Sequence, residues 1–312
     1  MMSESGEISS NSNRQEVLSN LESDLAQFHT PSTDTNLKTR QTKIISSEII
    51  TSPLLKQYIL LGYAAKGIIY FLIGILAIEA AILPERKAVG TYRALKYLSG
   101  QPLGSILLFL LAFCLGGYVL RRLLQAVIYP GHERSFSWTG ILQRTGYMMS
   151  SISYAGVAYS ALSIAFELGK YNDTINDSVE KLFLHPTGEY VVFIGGVGVI
   201  GVGIGYLYGA YTGSYISRFA ADDIDPRLKY IAKLLGKLGI ASRGIAFVLV
   251  GMCLVIASIA SDSNLAGGLQ NAFQVLADQP LGWLWLGLIG IGFMAYGLYM
   301  LAAARYRKYA IR

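Results

Sequence analysis

Residues 195–213 read GGVGVIGVGIGYLYGAYTG. Within them GVGVIG, Gly196 to Gly201, fits the G-x-G-x-x-G pattern of a dinucleotide-binding turn. Such a turn follows a strand and opens a helix at a water-facing crevice. Here the pattern lies inside 28 consecutive residues, Tyr190–Ser217, that include no Asp, Glu, Lys or Arg. A run of that length matches the ~20 residues that cross ~30 Å of hydrocarbon as a helix. The glycines therefore read as helix packing. Gly201, Gly205, Gly209 and Gly213 recur every four residues, which predicts a groove where another backbone comes close. Gly117 is a further packing candidate, at the matching place in another span.

The rest of the chain supports a membrane setting. It has 312 residues, 53% hydrophobic and 15% charged, against ~25% charged in soluble domains. Four more uncharged stretches, 97–120, 145–166, 244–261 and 279–304, are each long enough to cross. A sixth, 58–83, is as apolar but carries Lys66 and Glu79. The predicted fold is all-α: a polytopic membrane helix bundle with spans near 58–82, 103–128, 143–168, 188–216, 235–260 and 281–304. The first 50 residues lack the basic start and apolar core of a secretory signal, so the first span is expected to direct insertion. They are rich in Ser, Asn and Thr and read as a disordered tail. Within it Val17, Leu18, Leu21, Leu25 and Phe28 share one helical face.

An internal repeat organises the spans. GYAAKGIIYFLIG (62–74), GYMMSSISYAGVA (146–158) and GIASRGIAFVLVG (239–251) align. Each leads through a polar stretch to a proline motif: QPLG at 101–104, HPTG at 185–188 and QPLG at 279–282. The first glycine precedes the proline by 40, 40 and 41 residues. The unit is a two-helix hairpin, giving a tail over 1–50 and repeats over 54–130, 140–217 and 230–308. GTYRALKYLSGQPLG (90–104) and GGLQNAFQVLADQPLG (267–282) each predict a short amphipathic helix before the second span. Trp283 and Trp285 suit that interfacial depth.

Basic residues set the orientation. Sixteen Lys and Arg, among them Arg121, Arg122, Arg144 and Lys237, fall at one side and six at the other. The richer side is expected to be cytoplasmic, with both termini there. Each repeat crosses twice, so the three hairpins are parallel, not inverted.

The recurring Gly followed by Tyr or Ile, small residues, a basic residue and Gly (GYAAKG, GIASRG), then Q-P-x-G and an apolar span, resembles bacterial membrane proteins grouped as domain of unknown function 1206. The middle repeat departs from it, with Ser150 and Ser151 where Lys66–Gly67 and Arg243–Gly244 stand. The resemblance implies a bacterial inner-membrane protein of six helices in three tandem units. It implies no activity and no catalytic residues.

The leading functional candidates are the basic residues inside spans. Lys66 and Arg243 occupy equivalent positions, a turn or two from the cytoplasmic starts of their predicted helices. A charge there costs ~2–3 kcal/mol unless it meets water or a partner. Three readings stand: snorkelling to the interface, an ion pair, or a cationic lining with Arg121 and Arg122 that holds an anionic lipid headgroup or solute. Mid-span tyrosines, including Tyr70, Tyr118, Tyr154, Tyr206 and Tyr296, are expected to hydrogen-bond between helices. Catalytic signals are absent: His29, His132 and His185 are dispersed, and no H-E-x-x-H or G-x-S-x-G occurs. Cys114 and Cys253 lie singly in different spans. No cofactor and no metal are expected, and no basic-aromatic stretch suits nucleic acid. The sequence thus predicts a non-enzymatic membrane module whose partners are lipids, other membrane proteins or a second copy. The alternative is a pore or carrier between the repeats.

Overall fold

The computed structural model describes residues 53–83, 90–128, 138–167, 174–185, 187–213, 215 and 225–306. The tail with its expected amphipathic helix lies outside them. Nine α-helices fill the described chain: α1 Pro53–Ile82, α2 Thr91–Ser99, α3 Gly104–Ile128, α4 Trp138–Ala165, α5 Thr174–Phe183, α6 Gly188–Thr212, α7 Pro226–Ala260, α8 Leu269–Ala277 and α9 Gly282–Tyr306. No strand occurs among the described residues. Each repeat is a long helix, a short one and a second long one.

Local sequence accounts for the ends. Pro53 and Pro226 open helices at the position where a missing N–H costs nothing. The Asp225 side chain accepts from the Arg227 backbone N–H at 2.8 Å, capping α7. Gly213 ends α6 with φ +70°. The proline motif builds the same turn three times. The N–H of Gly104, Gly188 and Gly282 donates to Gln101, His185 and Gln279 at 2.9, 2.9 and 2.8 Å. A Cβ on Gly104 or Gly282 would stand 2.6 Å from the carbonyl of Leu98 or Leu276. Glycine is needed because the second span starts against the last carbonyls of the short helix.

The short helices pack by one face. Leu95 of α2, Val179 of α5 and Phe273 of α8 are buried at corresponding places. The α5 helix adds to expectation, which placed such helices in repeats one and three only. Its signal was legible: Ile175, Val179, Leu182 and Phe183 follow helical spacing.

Five helices, α1, α3, α6, α7 and α9, are long and apolar enough to cross a membrane. Their outward residues, such as Ile106, Phe113, Ile194 and Ile204, are large, apolar and exposed, as lipid contact requires. The protein is a membrane-embedded helical bundle. The sixth expected span, α4, has the length at 28 residues but lies outside that apolar set. Ser150, Ser151, Ser153, Ser160 and Ser163 dilute it. Three of these hydroxyls satisfy themselves on backbone carbonyls: Ser151 on Val119, Ser153 on Met149 and Ser160 on Gly156.

Neighbouring repeats meet through small residues spaced by seven. Gly67 and Gly74 of α1 face Gly297 and Gly290 of α9. Gly244 and Gly251 of α7 face Gly203 and Gly196 of α6. The equivalent residues of α4 and α3 are Ser151, Ala158, Val119 and Ala112, and Ser151 Oγ donates to the Val119 carbonyl at 3.3 Å. The second span of each repeat thus packs on the first span of the next, and α9 returns to α1. This closes the bundle into a pseudo-threefold arrangement.

The glycine groove is corrected by this packing. Gly201, Gly205 and Gly213 have nothing within 4 Å of where a Cβ would stand. Gly209 is half-buried and its carbonyl accepts the Gly213 N–H at 3.0 Å. The buried stripe of α6 is instead Gly196, Gly203 and Ala210. A four-residue spacing advances ~40° per step at 3.6 residues per turn, whereas seven drifts only ~20°. A four-spaced stripe therefore winds off a long antiparallel contact. Gly117 does pack closely, against the backbone carbonyl of Tyr58. Open helical glycine is costly without return, so Gly201→Ala is expected to raise stability by ~0.5–1 kcal/mol, read as a higher melting temperature in detergent.

Candidate functional site

The long helices extend further than expected. Helix α1 starts at Pro53 and α7 runs 35 residues from Pro226, ~52 Å at 1.5 Å per residue. Lys66 and Arg243 therefore stand mid-helix. Both face inward, 2% and 5% exposed.

Each cation finds a tyrosine on the other long helix of its own repeat. Lys66 Nζ donates to Tyr118 Oη at 3.0 Å, and Arg243 Nη1 donates to Tyr296 Oη at 2.6 Å. Tyr118 and Tyr296 are equivalent, each 16 residues past its proline. The middle repeat carries Ser150 and Val202 at these two positions. Cation and acceptor are thus present together or absent together. Arg122 joins from one turn beyond Tyr118, its Nε donating to the same phenol oxygen at 2.9 Å and Nη1 to Gln125 at 3.2 Å.

Aromatic rings complete the cage. Lys66 Nζ lies 4.4 Å from the Tyr118 ring centroid, 4.7 Å from Tyr154, 5.5 Å from Tyr296 and 6.0 Å from Tyr70. Arg243 Cζ lies 4.8 Å from Tyr206, 5.2 Å from Tyr70 and Phe247, and 5.3 Å from Tyr296. Tyr70 and Tyr154 share a hydrogen bond at 3.0 Å, tying α1 to α4. Of the five tyrosines expected to hydrogen-bond between helices, Tyr70, Tyr118, Tyr154 and Tyr296 do so, while Tyr206 stacks on Phe247 with centroids 5.5 Å apart. Each ring face offers a cation up to ~2 kcal/mol when water is excluded. That offsets part of the cost of placing two buried cations and the half-buried Arg122 together, and cancels none of their mutual repulsion. Among the described residues no carboxylate neighbours Lys66, Arg122 or Arg243; their electrostatic neighbours are tyrosines and one another.

Three of the four anticipated cations come together: Lys66, Arg122 and Arg243. Arg121 points elsewhere, over the Tyr63 ring at 5.1 Å, because consecutive helical residues diverge by ~100°. The sequence pointed to the cations and to the mid-span tyrosines separately. The equivalence of Tyr118 and Tyr296, readable from the proline register, was the signal that would have paired them.

The cation–tyrosine pair occurs in the first and third repeats, and the family match follows all three. The profile of the family described as Domain of Unknown Function (DUF1206) matches three times, at residues 61–128, 145–213 and 238–307. The chain belongs to this family. The three DUF1206 matches coincide with the hairpins and include every cage residue. A DUF1206 chain here is also similar to "Uncharacterized protein YxxB" of Bacillus subtilis (strain 168), 29% identical over 258 residues that cover 82% of this chain and 93% of that one. No solved structure matches.

Proposed function

We infer that the protein is a non-enzymatic module of the bacterial inner membrane that holds the anionic group of a membrane lipid inside its bundle. The observation that carries this reading is the convergence of Lys66, Arg122 and Arg243 on neighbouring tyrosines with no carboxylate beside them among the described residues. Positive charge in a low-dielectric interior calls for a counter-charge, and an anionic lipid supplies one from the surrounding membrane. Holding is favoured over passage because large rings pack tightly beside the cage: Phe273 and Phe293 are 0% and 1% exposed with centroids 5.7 Å apart, and Phe293 stacks on Tyr70 at 5.4 Å. The basic ends of the long helices support a cytoplasmic position for both termini.

Native mass spectrometry of the full chain from mild detergent tests the reading. Wild type is expected to retain phosphatidylglycerol over phosphatidylcholine. Lys66→Gln combined with Arg243→Gln should lower that preference by about tenfold, ~1.4 kcal/mol, while Arg121→Gln leaves it unchanged. Equal preference in wild type and the double variant overturns the reading.

A further inference from the structure

The ring of long helices stays open at one junction. In repeat one a Cβ on Gly62 would meet the Tyr118 backbone, and in repeat three a Cβ on Gly239 would meet the Tyr296 backbone. The equivalent Gly146 has nothing within 4 Å. Among the described residues α4 packs on α3 and α6 on α7, with no comparable contact between α4 and α6. The middle hairpin is splayed.

A cavity of about 260 Å³ lies between α4 and α7 on this open side. Ile69, Val157, Ala246, Val250 and Phe293 give it apolar walls. Tyr70, Tyr154 and Arg243 belong to both the cavity and the cage. Ser153, exposed, brings the α4 edge to the surface that lipid touches. Such walls offer water few partners, and left empty they forfeit dispersion contacts. The volume is below the ~300–1,000 Å³ of drug-sized sites, which leaves room for one hydrocarbon chain and not two.

Depth decides which part of a lipid comes here. Lys66, Arg243 and Arg122 lie 16, 17 and 18 residues from the helix ends on the side of the short helices, ~24–27 Å at 1.5 Å per residue. Exposed Trp283, at the start of α9, suits the headgroup level on that side. Across ~30 Å of hydrocarbon the cations therefore stand near the far edge, next to the phosphates of the leaflet at the Pro53 and Pro226 ends. From Arg243 the cavity wall runs two turns of α7 to Val250, ~10 Å towards the bilayer centre. Acyl chains of that leaflet point the same way.

We propose that the cleft between α4 and α7 seats one acyl chain of an anionic glycerophospholipid drawn from that leaflet, while the second chain stays in the bilayer outside the splayed hairpin. This rests on reading the cation cluster as an anion site. It adds the leaflet, the lateral route and the posture of the lipid. Burial does not drive the transfer, because the chain leaves one hydrocarbon medium for another. Charge at the cage selects the lipid, and the chain fills a void that the helices leave. A closed α4–α6 hairpin would bar the route.

The test uses the full chain in phosphatidylcholine nanodiscs containing phosphatidylglycerol with a photoactivatable diazirine midway along one chain. Crosslinks are mapped by peptide mass spectrometry. Label is expected on Val157, Ala246 and Val250, and the same diazirine on phosphatidylcholine should label them about tenfold less. Val250→Trp fills the cavity, and Ser153→Trp obstructs its mouth from an exposed position that tolerates bulk. Each should remove the cleft label yet keep the phosphatidylglycerol preference in native mass spectrometry, since neither touches a cation. Label confined to outward residues such as Ile194, or cleft label unchanged in both tryptophan variants, overturns the cleft assignment and leaves the anion site standing. Equal cleft labelling by the phosphatidylcholine probe overturns selection by charge. If native mass spectrometry also shows no phosphatidylglycerol preference in wild type, the cluster reading itself falls.

Discussion

Gly74→Val is expected to cost about 2–3 kcal/mol of stability, the range for overpacking a tight contact. A Cβ at Gly74 would stand 2.6 Å from the Gly290 carbonyl oxygen and 2.6 Å from the Met294 backbone nitrogen. Both obstacles are backbone, so no rotamer change relieves them and α1 must move away from α9. This contact joins the last repeat to the first, and without it the bundle opens into a row of hairpins. In lipid the replacement loses more than space: close backbone approach, including Cα–H to carbonyl contacts, is the attraction between these helices. Thermal unfolding in detergent reads the loss, with Gly205→Val as the control that leaves the transition in place. A Gly74→Val transition equal to wild type removes the seven-spaced interface from the account.

The second large effect belongs to Tyr118. Its phenol oxygen accepts from both Lys66 Nζ and Arg122 Nε. Tyr118→Phe keeps the ring and removes the acceptor, stranding the buried Lys66 Nζ and the half-buried Arg122 Nε. Each stranded donor costs ~1–3 kcal/mol, more when charged, so a loss of about 3–5 kcal/mol is expected. Lys66→Met in the Tyr118→Phe background should recover part of it, because an apolar pair is better than a broken polar one. A double-mutant cycle of wild type, Tyr118→Phe, Lys66→Met and the double variant measures this coupling. Additive losses would mean that Lys66 does not depend on Tyr118. The middle repeat already carries an apolar residue at the acceptor position, Val202, and no cation at the equivalent of Lys66, Ser150.

Much of the fold was legible because lipid imposes simple rules. Uncharged runs long enough to cross marked the long helices, and three aligned glycine-led segments, each followed by a proline 40 or 41 residues on, marked the hairpins. The parallel sense of the repeats followed from two crossings per unit. The α4 helix was legible as a helix, although its serines set it apart from the five apolar ones. The cation sites were legible as anomalies, since Lys66 and Arg243 interrupt runs that otherwise exclude charge.

The α6 register was misread for a reason that lies between helices. Gly196, Gly201, Gly203 and Gly205 look alike in one sequence, and any of several stripes could have been the contact. Which stripe is buried depends on where α7 crosses. The seven-residue match of Gly196 and Gly203 to Gly251 and Gly244 exists only once both helices are placed. The same holds for Arg121 against Arg122, neighbours in the chain that diverge to different rings.

The sequence by itself determined that this chain is a helical membrane bundle made of three tandem hairpins, because hydropathy, charge placement and repeat spacing are each properties of a linear string. Only the tertiary structure decided that three cations share one set of tyrosines and that the middle hairpin stands open beside Arg243. Those facts depend on angles around helices and on partners 50 or more residues apart, such as Lys66 with Tyr118 and Arg243 with Tyr296, which no local pattern encodes.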